Sequence, residues 1–295
     1  MVHGAGSAAR RHQAKLKLAI LLTTGYMLTE AMGGIITGSL ALIADAGHML
    51  TDAGALGLSL IAISFAERPA TPQKSFGYLR AEILAAIVNA AVLLLISAYI
   101  LYEAWQRFTA PPEITSWPML VIASIGLVVN LISMRLLASA SKESLNLKSA
   151  YLEVFSDSLG SLGVIAAAII MWTTQWYLAD PIFGAAIGLF IVPRTWMLIK
   201  EATHILMEGV PAHVDVKAVE REMKSIDGVV AVHDLHIWTL TSGFDSMSAH
   251  VRVNTTRNHD VLLEELGTML RNKFKIEHTT IQIEEEDCGA YQASI

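Results

Sequence analysis

Cysteine is almost missing from this chain: Cys288 is the only one among 295 residues. A single thiol excludes an internal disulfide and any cage of several thiolates, leaving imidazoles and carboxylates as the available metal ligands. Charge is scarce too. Only 16% of residues are Asp, Glu, Lys or Arg while 53% are hydrophobic, and mean hydropathy is +0.48. That is too apolar for an ordinary soluble domain, so the excess must be solvated by lipid. There is no low-complexity tract, histidine-rich loop or convincing internal repeat, so function has to rest on single positions. A His-Glu-x-x-His motif is absent as well. Its absence argues against an intramembrane zinc protease, which needs two imidazoles flanking a glutamate base.

What is present is a run of six apolar stretches, at residues 16–37, 40–66, 80–107, 117–138, 148–173 and 180–200. Each is near the roughly 20 residues that a helix needs to cross a bilayer core. The first is followed almost at once by the second and lacks a small-residue cleavage site, so it reads as a span rather than a signal peptide. Basic residues orient the bundle. One set of loops holds Arg10, Lys15, Arg68, Lys74, Arg135 and Lys148 among others, while the opposite set holds little beyond Arg107. Basic loops favour the cytoplasmic side, so both termini are expected there, with Trp117, Trp172, Trp176 and Tyr177 at the outer interface.

After Lys200 the pattern turns soluble. A helix is predicted over residues 214–226, ended by Asp227-Gly228; strands over 229–240 and 247–253 flank a turn at Thr241 to Asp245; a second amphipathic helix covers 261–274 and a last strand 278–283. The expected fold is thus an all-α six-helix membrane bundle with a C-terminal α+β domain of order αββαβ. The expected domains are a basic cytosolic N-terminal tail at 1–14, a transport domain at 15–206 and a cytosolic domain at 207–295.

Ionisable residues inside spans are expensive, at least about 2.5–3.5 kcal/mol each on insertion scales, and are functional candidates by default. The second span places His48 and Asp52 four residues apart, and the fifth places Glu153 and Asp157 at the same spacing, so each pair shares one helix face. If those faces meet, one imidazole and up to three carboxylates surround one point, an arrangement that suits Zn2+ and, less selectively, Co2+, Cd2+ or Mn2+. A lone Glu30, Asp45 or Asn89 reads equally well as a buried polar group bonded to a neighbouring helix. Three buried carboxylates without a cation are a different matter, because isolated buried charge is strongly penalised.

At these residues the chain resembles the cation diffusion facilitator family, in its CzcD-type cobalt-zinc-cadmium efflux and zinc transporter branch. The likeness spans nearly the whole chain. It is carried by His48-x-x-x-Asp52, by Gly38-Ser39-Leu40-Ala41-Leu42-Ile43-Ala44-Asp45-Ala46, by Phe76-Gly77-Tyr78-Leu79-Arg80-Ala81-Glu82 and by His233-Asp234-Leu235-His236-Ile237-Trp238. The resemblance implies a homodimer in the cytoplasmic (inner) membrane, a zinc site between the second and fifth spans, alternating access and proton antiport. It also implies a ferredoxin-like cytosolic domain binding regulatory metal through His233, His250, His278 and a carboxylate near Glu284. A symmetric hairpin about Gly243 would instead set His236 opposite His250, so His236 stays as the alternative to His233. The chain departs from the family at Glu153, where zinc members usually carry histidine. With His48 neutral, three ionised carboxylates and a divalent cation, this site keeps one net negative charge and is harder and less zinc-selective.

The expected activity is therefore export of divalent metal in exchange for protons, by a secondary transporter and not an enzyme. Zinc is expected first, and cobalt, cadmium and manganese after it. The expected partners are metal ions, protons, membrane lipid and a second copy of the chain, and nucleic acid is not among them. The alternative is a membrane metal sensor that binds without transporting.

Overall fold

A computed structural model of the chain describes residues 5–66, 68–138, 145–254 and 258–286, with the side chains of 5–16, 51–53, 55–63, 66 and 145–149 outside the description. Cys288 and the acidic Asp287 fall outside it, as does the Asp52 side chain. Six long helices come first: α1 (Ala5–Thr37), α2 (Leu40–Ala66), α3 (Ala81–Thr109), α4 (Ser116–Leu137), α5 (Leu145–Thr174) and α6 (Ala179–Leu206). Five of them are long and apolar enough to cross a membrane, and the described side chains of α2 add the shorter apolar stretch Leu40–Leu50. The chain is a multi-pass membrane protein. Helix α1 reaches back to Ala5, so most of the expected N-terminal tail continues the first span.

By packing, the chain divides into one unit of Met1–Leu58 with Val88–Met197 and a second of Ser59–Ile87 with Leu198–Ile295. In the first, Ala41 and Leu42 of α2 pack with Met119 and Ala123 of α4, Val164 and Ala168 of α5, and Ala179 of α6. Leu40 and Ala44 pack with Ile100 and Ala104 of α3. Small side chains at these contacts let helices approach closely where lipid offers no hydrophobic drive to association. The start of α2 is held by Asp180, fully buried, which accepts hydrogen bonds from the Ser39 hydroxyl at 2.6 Å and from the Leu40 and Ala41 amides at 2.7 and 3.1 Å. Arg107 reaches the same carboxylate at 3.3 Å and the Gly38 carbonyl at 2.5 Å. An anion therefore caps the positive end of α2 from another helix. Removing one partner of such a buried pair costs about 3–5 kcal/mol.

In the second unit, α7 (Val216–Lys224) is followed by β1 (Val229–Thr241), β2 (Phe244–Val253), α8 (His259–Met269) and β3 (His278–Glu284). The αββαβ order is as the patterning predicts. Asp215 and Asn258 cap the two helices by accepting from the Lys217 and Asp260 amides. Strand β2 is central, antiparallel to β1 and parallel to β3. Val219 and Met223 of α7 and Leu262, Leu266 and Leu270 after Asn258 cover one sheet face, burying Met247, Ala249 and Val251 of β2. Strand alternation puts His250 on the other face.

Candidate functional site

The bundle site is built on α2 and α5. Gly160 of α5 lies against the Asp45 carboxylate so closely that a Cβ there would clash with it. The two helices cross the bundle in opposite directions, so each step forward on α2 is matched by a step back on α5. Three steps from the Asp45–Gly160 contact, His48 comes level with Asp157; four further steps bring Asp52 level with Glu153. Asp157 is buried, and His48 and Glu153 are half-buried. The charges of Arg194 on α6 and of Glu153 both act on the His48 ring. His48, Glu153 and Asp157 are brought to one level on the two helices, and a compact set of three ligand atoms among the described residues lies in the tail.

That tail set is His233, His250 and Glu284, whose ligand atoms lie within 4.8 Å of one another. His250 Nδ1 is 2.9 Å from Glu284 Oε1, and His233 Nε2 is 3.2 Å from Glu284 Oε2. The rings of His233 and His250 stand edge to face, with centroids 5.3 Å apart. Glu284 is 4% exposed, so its charge is largely withdrawn from water. Tetrahedral zinc holds imidazole and carboxylate at roughly 2.0–2.2 Å, and ligand atoms about 3 Å apart are spaced for that.

The strand register decides which histidine takes part. The turn is Ser242-Gly243, shorter than the sequence suggested, with Thr241 opposite Phe244 and Gly243 in the left-handed region at φ +76°. A register shift follows between Thr239 and Thr241, and another between His233 and His236. Together they set His233 opposite His250 and His236 opposite Ser248, so the symmetric hairpin that would pair His236 with His250 is not formed. Asp234 sits in the second irregularity at φ +50°, a conformation that aspartate tolerates better than most residues. Its carboxylate meets His236 Nε2 at 2.9 Å and His250 Nε2 at 3.6 Å, so His236 touches the cluster only through Asp234. The His236 hydrogen bond, helped by the charges of the nearby histidines, holds the Asp234 carboxyl below its ordinary range.

His278 does not join this cluster. It starts β3 while Glu284 ends it, and six residues of strand span about 20 Å. Its ring instead packs edge-on against Phe76, with centroids 5.8 Å apart, and beside Phe244. In the same unit the hairpin tip is tied to the start of α3. Thr241 and Ser242 both donate to the Glu82 carboxylate, and Arg80 pairs with Glu208 at 2.6 Å.

Two family models match the chain: the cation efflux transmembrane domain over residues 16–207 and the cation efflux protein cytoplasmic domain over 211–286. The chain belongs to the cation efflux family. Among curated relatives of this cation diffusion facilitator group, it is 50% identical to the metal cation efflux system protein CzcD of Cupriavidus metallidurans, covering 96% of this chain and 90% of that protein. It is 44% identical to the cadmium, cobalt and zinc/H(+)-K(+) antiporter of Bacillus subtilis, over 92% and 88% of the two chains. To the zinc transporter ZitB of Pectobacterium atrosepticum it is 40% identical, over 98% and 90%. Proteins of the cation efflux family are transporters, not enzymes.

Three residues that matter to these sites escape a reading of sequence motifs. Arg194 comes from a third helix, Asp234 acts through a strand irregularity, and Asp180 caps a helix some 140 positions away. The only signal for Asp180 is an Asp-Pro pair opening a span.

Proposed function

We propose that this cation efflux protein exports divalent metal, zinc first and cobalt, cadmium or manganese after it, from the cytoplasm in exchange for protons. It works as a homodimer in the cytoplasmic (inner) membrane with both termini cytosolic, by alternating access to one site in the bundle. His48, Asp52, Glu153 and Asp157 hold the ion in transit. The observation that carries this reading is the level match of two i, i+4 ligand pairs on opposed helices, set by the Asp45–Gly160 contact. The charge of Arg194 on α6 also acts on the His48 ring.

The names of the relatives, a cadmium, cobalt and zinc/H(+)-K(+) antiporter and a zinc transporter, support the same metals and a proton counter-ion. In the tail, His233, His250 and Glu284 hold a regulatory metal ion, with Asp234 and His236 beside it. Residues 15–206 form the transport part and residues 207–295 the regulatory part. The test is uptake of a panel of divalent metals into sealed proteoliposomes, with and without an imposed proton gradient. Accumulation of zinc driven by the gradient is the expected result. Binding without accumulation would instead make the protein a membrane sensor.

A further inference from the structure

The bundle holds a second acidic group that the transport site does not use. Glu30 of α1 is fully buried and Asp45 of α2 is 2% exposed. Their carboxyl groups lie within hydrogen-bonding reach of each other. Neither Glu30 Oε2 nor Asp45 Oδ2 has a donor elsewhere among the described residues. No Lys or Arg occurs between residues 18 and 66 to neutralise them. Two carboxylates cannot bond to each other without a proton, and a single proton between these oxygens supplies the missing donor and removes one of the two charges.

The surroundings are shaped to admit this pair. Gly160 leaves room for Asp45, and Gly126 of α4 leaves room for the Tyr26 phenol, where a Cβ would strike the ring. Tyr26 donates to Glu30 Oε1 at 2.9 Å. On α5, Ser161 receives a hydrogen bond from Asn130 of α4 at 3.5 Å. Ser161 lies one helical turn beyond Asp157, and the Asp157 charge acts on Glu30. The titratable groups around the pair are therefore Tyr26 on α1, Asp157 on α5 and, one turn further along α2, His48.

We propose that Glu30 and Asp45 form a proton-binding site separate from the metal ligands, holding one proton between them when the transport site is empty. Arrival of a dication at Asp157 favours the ionised pair, and the proton leaves. Departure of the metal restores the charge that draws a proton back. Metal and proton then exclude each other through charge rather than by sharing ligands. This rests on the transport reading, so the tests are chosen to separate the two.

The full chain is reconstituted in lipid and its infrared spectrum recorded at neutral pH. The parent is expected to show the C=O stretch of a buried protonated carboxyl, which falls when zinc is added and is missing in Glu30→Gln and in Asp45→Asn. A band of unchanged size in both variants overturns the proposal. Protons released per zinc bound should drop by one in each variant, and an unchanged count overturns it equally. Should the isosteric variants fail to fold, Tyr26→Phe removes only the donor to Glu30 and should shift the frequency of the band; an unshifted band counts against the pair. A parent that carries the band yet binds no zinc in the bundle would defeat the transport reading and leave the acid pair standing.

Discussion

In the bundle, the candidate ligands sit on two separate helices that bring them level. In the tail, they sit on paired strands that hold an imidazole 2.9 Å and another 3.2 Å from one carboxylate. The first arrangement can change its spacing when helices shift against each other, which a carrier needs. The second is fixed by backbone hydrogen bonds and a packed core, so it can bind and release an ion with little movement of its own. Transport and sensing thus suit different supports: helices that can shift against each other, and strands that stay paired.

The largest expected effect that bears on this contrast comes from the bundle carboxylates. Asp52→Ala and Asp157→Ala should each lower metal flux by about a hundredfold or more while leaving the protein folded and dimeric, since loss of a metal ligand removes a contact that nothing else replaces. Flux at the parent rate in either variant would remove them from the transport site.

Next in size is the Glu153 position, because metal ligands must be deprotonated and metal release is accompanied by proton uptake. Glu153→His makes the metal-loaded site formally neutral before Arg194 is considered, and should sharpen the preference for zinc over manganese and cobalt. Glu153→Gln keeps an oxygen but removes the titratable group, so flux should lose its response to a pH gradient more than binding weakens. Identical pH dependence in parent, His and Gln variants would show that Glu153 carries no proton.

Smaller effects belong to the tail. Stripping metal with a chelator should lower the thermal stability of the tail, since a site filled at a hundred times its dissociation constant stabilises by about 2.7 kcal/mol. His250→Ala should abolish that difference and His278→Ala should not, because His278 packs on Phe76 instead. A chelator effect lost equally in both would return His278 to the site. The smallest expected effect concerns Asp234. Its folded carboxyl titrates below its ordinary range, so its stabilising contribution is present above the unfolded value of about 3.9 and is lost as pH falls through the lower folded value. The difference in denaturation midpoint between parent and Asp234→Asn, measured without metal, should therefore shrink toward zero below about pH 4. A difference that grows with acid would contradict the assignment.

The bundle was legible because helical spacing is rigid. Four residues always return to one face, so His48 with Asp52 and Glu153 with Asp157 could be paired from the letters alone. What the letters lack is contact between helices, and Arg194 and the Asp45–Gly160 approach that levels the two faces became visible only in three dimensions. The tail was legible as an order of elements but not in register. A strand carries one residue to the opposite face for every single-residue slip. Two irregularities in β1, one housing Asp234 in an unusual conformation, choose His233 over His236, and no local pattern announces them. His278 was misplaced for a related reason, since its distance from Glu284 along an extended strand forbids a shared ion.

The claim that one site carries metal and the other senses it is tested most directly by measuring zinc bound per chain and zinc flux on the same preparations of three proteins. They are the parent, Asp157→Ala, and the double variant His250→Ala with Glu284→Gln. The account predicts that each variant binds one zinc fewer than the parent, that Asp157→Ala carries no flux, and that the double variant keeps most of its maximal rate while losing its dependence on metal concentration at the tail. A double variant as inactive as Asp157→Ala, or an Asp157→Ala protein that still moves zinc, would contradict it.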